Sequence, residues 1–215
     1  MIKYRKLSDY RFKKLLMCFC EDLTATQTSR IAKINRNTVN RYYRIFREKI
    51  ASYQESIIQG FNGEIEIDES YFGPKDVGRR GRGTAKIPVF GIMKRNGKVY
   101  TQIIKHAGRS EIRPIIQKLV RKGSTLYSDK WSAYRGLVYN GYIHHQVDHK
   151  KQEYSNKKGT HINTIESFWS FAKRRLLKFN GIRSKDFYLY LKECEFRFNE
   201  RDNLYQKLIN ILRLF

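Results

Sequence analysis

Apolar residues between Ser8 and Ile50 recur with a helical period, at Leu15, Leu16, Phe19, Ile31, Val39, Tyr42, Tyr43 and Phe46. Three short helices fit this stretch. In the last of them Val39, Tyr42, Tyr43, Phe46 and Ile50 stand at i, i+3, i+4, i+7 and i+11, a single face to bury. The opposite face offers Arg36, Asn37, Asn40, Arg41 and Arg44. Past Gln59 the texture changes to strand-like segments over 64–71, 87–94 and 98–105, the last two joined by Asn96-Gly97, a strong two-residue hairpin signal. The stretch 73–86 between the first two is rich in Gly and Arg and lacks a period, which predicts an exposed loop.

A helix is predicted over 109–121, with Pro114 tolerable only near its first turn, followed by a short strand over 125–128 that ends at Asp129. A further helix is expected from Lys130, then a strand over 143–147, a polar loop over 148–160, and closing helices near 164–178, 185–199 and 204–214. A three-strand meander followed by alternating helices and strands describes the α/β class: a mixed sheet with helices packed on it, the order of a ribonuclease-H-like fold. The expected division is a helix-turn-helix domain over 1–58 and a catalytic domain over 59–215 that includes the C-terminal helices.

Charge narrows the partner. The 215 residues carry 44 Lys plus Arg against 20 Asp plus Glu, a formal charge of +24. That excess exceeds what solubility requires and points to a polyanion. Residues 1–60 hold 13 basic and 5 acidic side chains, so the remaining 155 residues carry +16 and the charge is spread along the chain. Tyr and Phe together number 28 and recur at helical and strand spacings, unlike a disordered basic arm. No run of about 18 apolar residues appears, and no basic start leads into an apolar signal segment, so no membrane association and a cytoplasmic location are expected. Cys18, Cys20 and Cys194 are too few and wrongly spaced for a four-ligand zinc site. Cys194 shares an apolar helical stripe with Phe187, Tyr190, Leu191 and Phe198. His144, His145, His149 and His161 have no cysteine nearby and no helical ligand spacing, so a surface or substrate contact is the expectation.

Phosphodiester chemistry with two divalent ions needs a few carboxylates converging on one edge of a rigid sheet, because hard cations prefer oxygen ligands. Asp68 lies in the first strand (EIDESYFG), Asp129 ends the fourth (YSDKWSAY), and Glu166 opens a helix (NTIESFWSFAK). Sixty residues separate the first two and thirty-six the second two. Together with the RGRG-to-VFG stretch and HINTIESFWSFAKRRL, these words resemble the DDE-type transposases of bacterial insertion sequences, most closely the family numbered fifteen-ninety-five. The resemblance implies that Asp68, Asp129 and Glu166 hold two Mg²⁺ or Mn²⁺ ions. It implies that Lys173 matches the basic residue following the Glu, two helical turns on and on the same face, where it would hold a phosphate. It further implies cleavage and strand transfer on double-stranded DNA by a homodimer or larger oligomer.

Plainer roles exist for each residue. In Asn163-x-x-Glu166, Asn163 suits a helix cap and Glu166 the closing position of a capping box. Asp129 suits a cap for the following helix. Strand alternation puts Glu64, Glu66, Asp68 and Ser70 on one side, so periodicity does not choose among the three acids; only the resemblance selects Asp68. Trp131 and Trp169 flank the acids, where large aromatics usually pack the core, with base stacking the lesser reading. Arg79, Arg80 and Arg82 stand among glycines that permit close approach to a DNA backbone, the alternative being a solvated charge run. The helix-turn-helix turn reads Ala32-Lys33-Ile34-Asn35 without the usual glycine, with Asn35 placed to cap the third helix. Two other functions fit the same residues: a DNA-binding regulator that retains a former catalytic domain, and a ribonuclease-H-type nuclease that cuts without strand transfer.

Overall fold

A computed structural model describes residues 7–57, 60–73, 86–129, 134, 136–147 and 162–214. Its elements run α1 (Asp9–Cys20), α2 (Ala25–Ala32), α3 (Arg36–Ser56), β1 (Glu64–Phe72), β2 (Ile87–Lys94), β3 (Val99–Ile103), α4 (Arg109–Leu119), β4 (Thr125–Asp129), β5 (Ile143–Val147), α5 (Asn163–Leu177), α6 (Ser184–Asn199) and α7 (Leu204–Leu214). The chain divides into two units, one from Ile58 to Arg175 and the other joining the residues up to Ile57 with those from Leu176 onward.

The central unit is a five-stranded sheet in the order β3-β2-β1-β4-β5. β1 pairs antiparallel with β2, and β2 with β3, while β4 runs parallel to both β1 and β5. This is a mixed α/β sheet of ribonuclease-H-like order. The hairpin turn after β2 places Asn96 at φ 53°, the left-handed conformation that Asn tolerates. On one face Ile65, Ile67, Phe90, Ile92 and Leu126 pack against Ile112, Ile115, Ile116 and Leu119 of α4. The other face of β1 is not solvated as simple alternation would have it: Glu66 is fully buried and Ser70 nearly so, because α5 lies over them. Pro114 sits in the second turn of α4, past the first turn where it was expected; its exposed position lets the helix continue around it.

In the other unit Leu15, Leu16, Phe19, Val39, Tyr43, Phe46 and Ile50 of α1 and α3 share one core with Phe196, Leu208, Ile211 and Leu212 of α6 and α7. The two last helices therefore pack with the N-terminal helices, not within the sheet unit to which the sequence reading assigned them. The physical reason is the length of the apolar face of α3, 21 residues whose buried positions run from Val39 to Gln54. α1 and α2 cannot cover all of it. Buried charges on α6 find partners on α3: Arg47 Nε lies 2.6 Å from Glu193 Oε2, and Gln54 Nε2 donates to Glu195 Oε1 at 2.8 Å. Ile31, expected inside, is 48% exposed; the inward position of α2 belongs to Thr28, whose hydroxyl shares a 2.6 Å bond with Tyr43 Oη. Among the described residues no helix is long and apolar enough to cross a membrane.

Candidate active site

β1 is the central strand, and its pairing with β4 sets Glu64 beside Thr125, Ile65 beside Leu126 and Glu66 beside Tyr127. Continuing that offset brings Asp129, at the end of β4, alongside Asp68. Asp129 thus stands at the carboxyl end of β4, the kind of edge where open α/β sheets present their ligand sites, level with Asp68 at the middle of β1. Glu166 comes from the first turn of α5, which lies over the same face.

Two polar bonds dock α5 on β1. The buried Glu66 carboxylate accepts the backbone N–H of Ile165 at 2.9 Å, and the indole Nε1–H of Trp169 donates to Asp68 Oδ2 at 3.1 Å. Glu66 also receives Arg95 Nε at 3.2 Å, and the Arg95 guanidinium lies 3.7 Å from the Tyr127 ring centroid. This replaces the capping box considered for Asn163 and Glu166. Asn163 is the first helical residue, Glu166 N–H bonds to the Ile162 carbonyl, and the acceptor for the open helix end comes from the sheet.

The electrostatics of Asp68 record the convergence. Burial first, then the nearby charges of Glu69, Asp129 and Glu166, push its carboxyl well above the usual range, with a hydrogen bond from the Glu69 backbone opposing them. Glu69 faces the opposite side of the sheet, where its Oε2 accepts the hydroxyl of fully buried Tyr134 at 2.6 Å. Lys173 feels Asp68 as well: desolvation lowers its pKa, Asp68 opposes that, and Lys86 adds to it. Its ammonium lies 5.8 Å from the Phe72 ring centroid, at the end of β1.

Asp68, Asp129, Glu166 and Lys173 therefore belong to one neighbourhood drawn from β1, β4 and α5. The three carboxylates offer only oxygen donors and their charges repel one another, which suits a hard divalent cation. Among the described residues, however, no three His, Cys, Asp or Glu side chains close into a ready metal cage. His144 is not part of such a set; its Nε2 shares a 2.9 Å hydrogen bond with Ser128 Oγ, while His145 stacks on Tyr127 with 5.4 Å between centroids.

Trp169 is 4% exposed and packs edge-on to Phe72, 6.0 Å between centroids, so the core role expected for it holds, with a polar bond in addition. Glu66 and Trp169 as docking groups were not foreseen. The available signal was Gly91, a glycine inside an apolar strand, which marks close approach of another group. Arg36, Asn37, Asn40, Arg41 and Arg44 are all exposed on α3. Asn35 caps that helix, accepting Asn37 N–H at 2.8 Å, and Lys33 takes the left-handed turn conformation at φ 51°. Arg44 is held by Glu48 at 2.8 Å and Asp186 at 3.0 Å. Arg79, Arg80, Arg82, Trp131, His149, His161, the Gly- and Arg-rich loop and the helix expected from Lys130 lie outside the described residues.

The chain is 39% identical over 105 residues to an uncharacterized transposase-like protein of Haemophilus influenzae, covering 49% of this chain and 84% of that one. It is 31% identical over 153 residues to an uncharacterized protein in transposable element ISH50 of Halobacterium salinarum, covering 63% of this chain and 52% of the relative. Among solved structures, the Mos1 transposase paired-end complex with left transposon end is similar over 98% of this chain and 81% of that one. The identity there is 12% and the TM-score 0.32, agreement too low to argue from. The family model for the ISXO2-like transposase domain matches residues 60–199, nearly two thirds of the chain and the whole of the site above, and the chain belongs to that family.

Proposed function

We propose that this protein is an active DNA transposase that binds the ends of an insertion sequence and catalyses divalent-metal-dependent cleavage and strand transfer. The observation that carries the reading is the gathering of Asp68, Asp129 and Glu166 from three separate elements, where the Asp68 carboxyl is pushed up by burial first, then by Glu69, and also by Asp129 and Glu166. Such mutual repulsion stabilises nothing in the fold by itself, and cations relieve it.

In this reading Asp68, Asp129 and Glu166 hold two Mg²⁺ or Mn²⁺ ions. When bound, the ions supply Lewis acidity for in-line displacement at phosphorus, first by water at the element end and then by the released 3′-hydroxyl on target DNA. Lys173, two turns after Glu166, holds a phosphate oxygen beside the carboxylates. α5, docked on β1, keeps Glu166 facing the two strand acids. Arg36, Asn37, Asn40, Arg41 and Arg44 on α3 contact the element end, and Arg79, Arg80 and Arg82 the backbone. Because both ends must be held during transfer, the working form is a dimer or larger.

The test is cleavage and joining of a labelled duplex taken from the DNA beside the gene, with Mg²⁺ or Mn²⁺, by the wild type and by Asp129→Asn. The expected outcome is metal-dependent 3′-hydroxyl ends joined to a second duplex, with activity lost by at least a hundredfold in the variant, the scale of losing several kcal/mol of transition-state stabilisation. Cleavage without joining would make the protein a nuclease. Binding without cleavage by either form would make it a regulator.

A further inference from the structure

We propose that Trp169 is a positioning residue for Asp68, acting through its indole N–H, and that Gly91 is a glycine because the ring occupies the space its side chain would fill. The proposal rests on the reading of Asp68 as a cation ligand.

The contact between ring and sheet is unusually close. Gly91 is the register partner of Asp68 on β2. A Cβ built there would lie 2.5 Å from Trp169 Cζ2, 2.9 Å from Cη2 and 3.1 Å from Ile165 Cδ1. The indole therefore lies flush on the backbone beside the carboxylate, and the strand has given up a side chain to admit it. Apolar packing alone does not explain the orientation, since a phenyl ring would cover a glycine as well. The indole N–H is a donor only, and here it is directed at Asp68 Oδ2 at 3.1 Å, on a ring 4% exposed to solvent.

Trp169 is itself held in register. It lies one turn past Ile165, whose N–H is fixed by the buried Glu66 carboxylate two residues before Asp68 on β1. Two bonds between the same strand and helix thus set both the height of α5 and the rotamer of Asp68. A donor in this place does what outer-sphere partners do for ligating groups: it fixes the carboxylate orientation before the cation arrives.

The test is Mn²⁺ binding, followed through the electron paramagnetic resonance signal of the free ion. Titrations compare the wild type with Trp169→Phe, Gly91→Ala and Asp68→Asn. Trp169→Phe, which keeps the ring but not the N–H, is expected to bind Mn²⁺ about tenfold more weakly, at the lower end of the effect of losing an outer-sphere partner. Gly91→Ala, which displaces the ring while keeping the N–H, is expected to do likewise. Wild-type affinity in Trp169→Phe would overturn the proposal.

Should Trp169→Phe or Gly91→Ala fail to fold, the ¹⁵N-labelled indole resonance of Trp169 in the otherwise native chain decides the matter. Trp131→Phe assigns it, since the chain has two tryptophans. It should shift in Asp68→Asn, and an unmoved resonance would overturn the proposal. A wild type whose Mn²⁺ binding is unchanged in Asp68→Asn would sink the metal reading instead, with the indole shift still judging the contact.

Discussion

Glu66 and Asp68 stand two residues apart on one face of β1, yet their environments give them different work. Glu66 is buried with two donors, Ile165 N–H and Arg95 Nε, so its charge is matched within the fold. Asp68 is half-buried beside other carboxylates, and its pKa rises well above its ordinary value of 3.8, through desolvation first and then Glu69, Asp129 and Glu166. The folded chain therefore holds this proton more tightly than the unfolded chain. The resulting stabilisation is complete below the unfolded pKa, and stability falls as pH rises from there toward the folded value. At neutral pH without divalent ions the group is a net cost, since the folded chain must either carry a disfavoured charge or take up a proton. Asp68→Asn should then unfold at a higher temperature than the wild type at pH 7 in EDTA, with the difference shrinking toward pH 4. Mg²⁺ should raise the melting temperature of the wild type more than that of the variant. Thermal unfolding across that pH range checks both, and a variant less stable than wild type at pH 7 in EDTA would contradict the account.

At the scale of elements, the informative cases are helices whose ends or interiors break a local rule. In the first turn of α5 the N–H of Ile165 takes its acceptor from Glu66 of β1, so the start of the helix depends on the sheet. α4 carries Pro114 in its second turn, where proline removes the backbone donor to the carbonyl four residues earlier. An interior proline costs about 3 kcal/mol relative to alanine, offset by about 0.4–1 kcal/mol from the stiffer unfolded chain. Pro114 is exposed, so its replacement loses little packing. Pro114→Ala should raise the unfolding free energy by about 2 kcal/mol, read from urea denaturation; an unchanged or lower midpoint would mean that the helix has already accommodated the ring.

Across the whole molecule, charge is shared between the two units. The residues up to Ile57 and from Leu176 onward sum to +11, and those from Ile58 to Arg175 to +13, so neither is a neutral passenger. In the helical unit Asn40, Arg41 and Arg44 line a cleft of about 490 Å³ with Arg183 and Asp186. Asp186 pairs with both Arg44 and Arg183, its carboxyl held below the ordinary range by these cations against a desolvation that would raise it. Arg41 thus stands beside ion pairs, which makes it the arginine of choice for testing duplex contact. Fluorescence anisotropy should show duplex affinity falling by at least about tenfold between 50 and 200 mM salt, the behaviour of several phosphate contacts. Arg41→Ala should lower both the affinity and the steepness of that dependence. Affinity indifferent to salt would remove the polyanion argument.

The sequence by itself determined the elements of the sheet unit and their order, because alternation, the Asn96-Gly97 hairpin and the apolar helical stripes are local signals written within a few residues. It also supplied, by resemblance, which acids to single out among Glu64, Glu66 and Asp68, a choice that period-two alternation leaves open. Tertiary structure decided the rest. That Asp68 and Asp129 become neighbours follows from a parallel register between strands some sixty residues apart. That Glu66 caps the start of a helix, and that Gly91 admits Trp169 onto Asp68, follows from α5 crossing β1. That α6 and α7 join α1 and α3 follows from an apolar face too long for the N-terminal helices alone to cover. Each is a pairing at long range, fixed by which surfaces bury one another, and no window of sequence contains both partners.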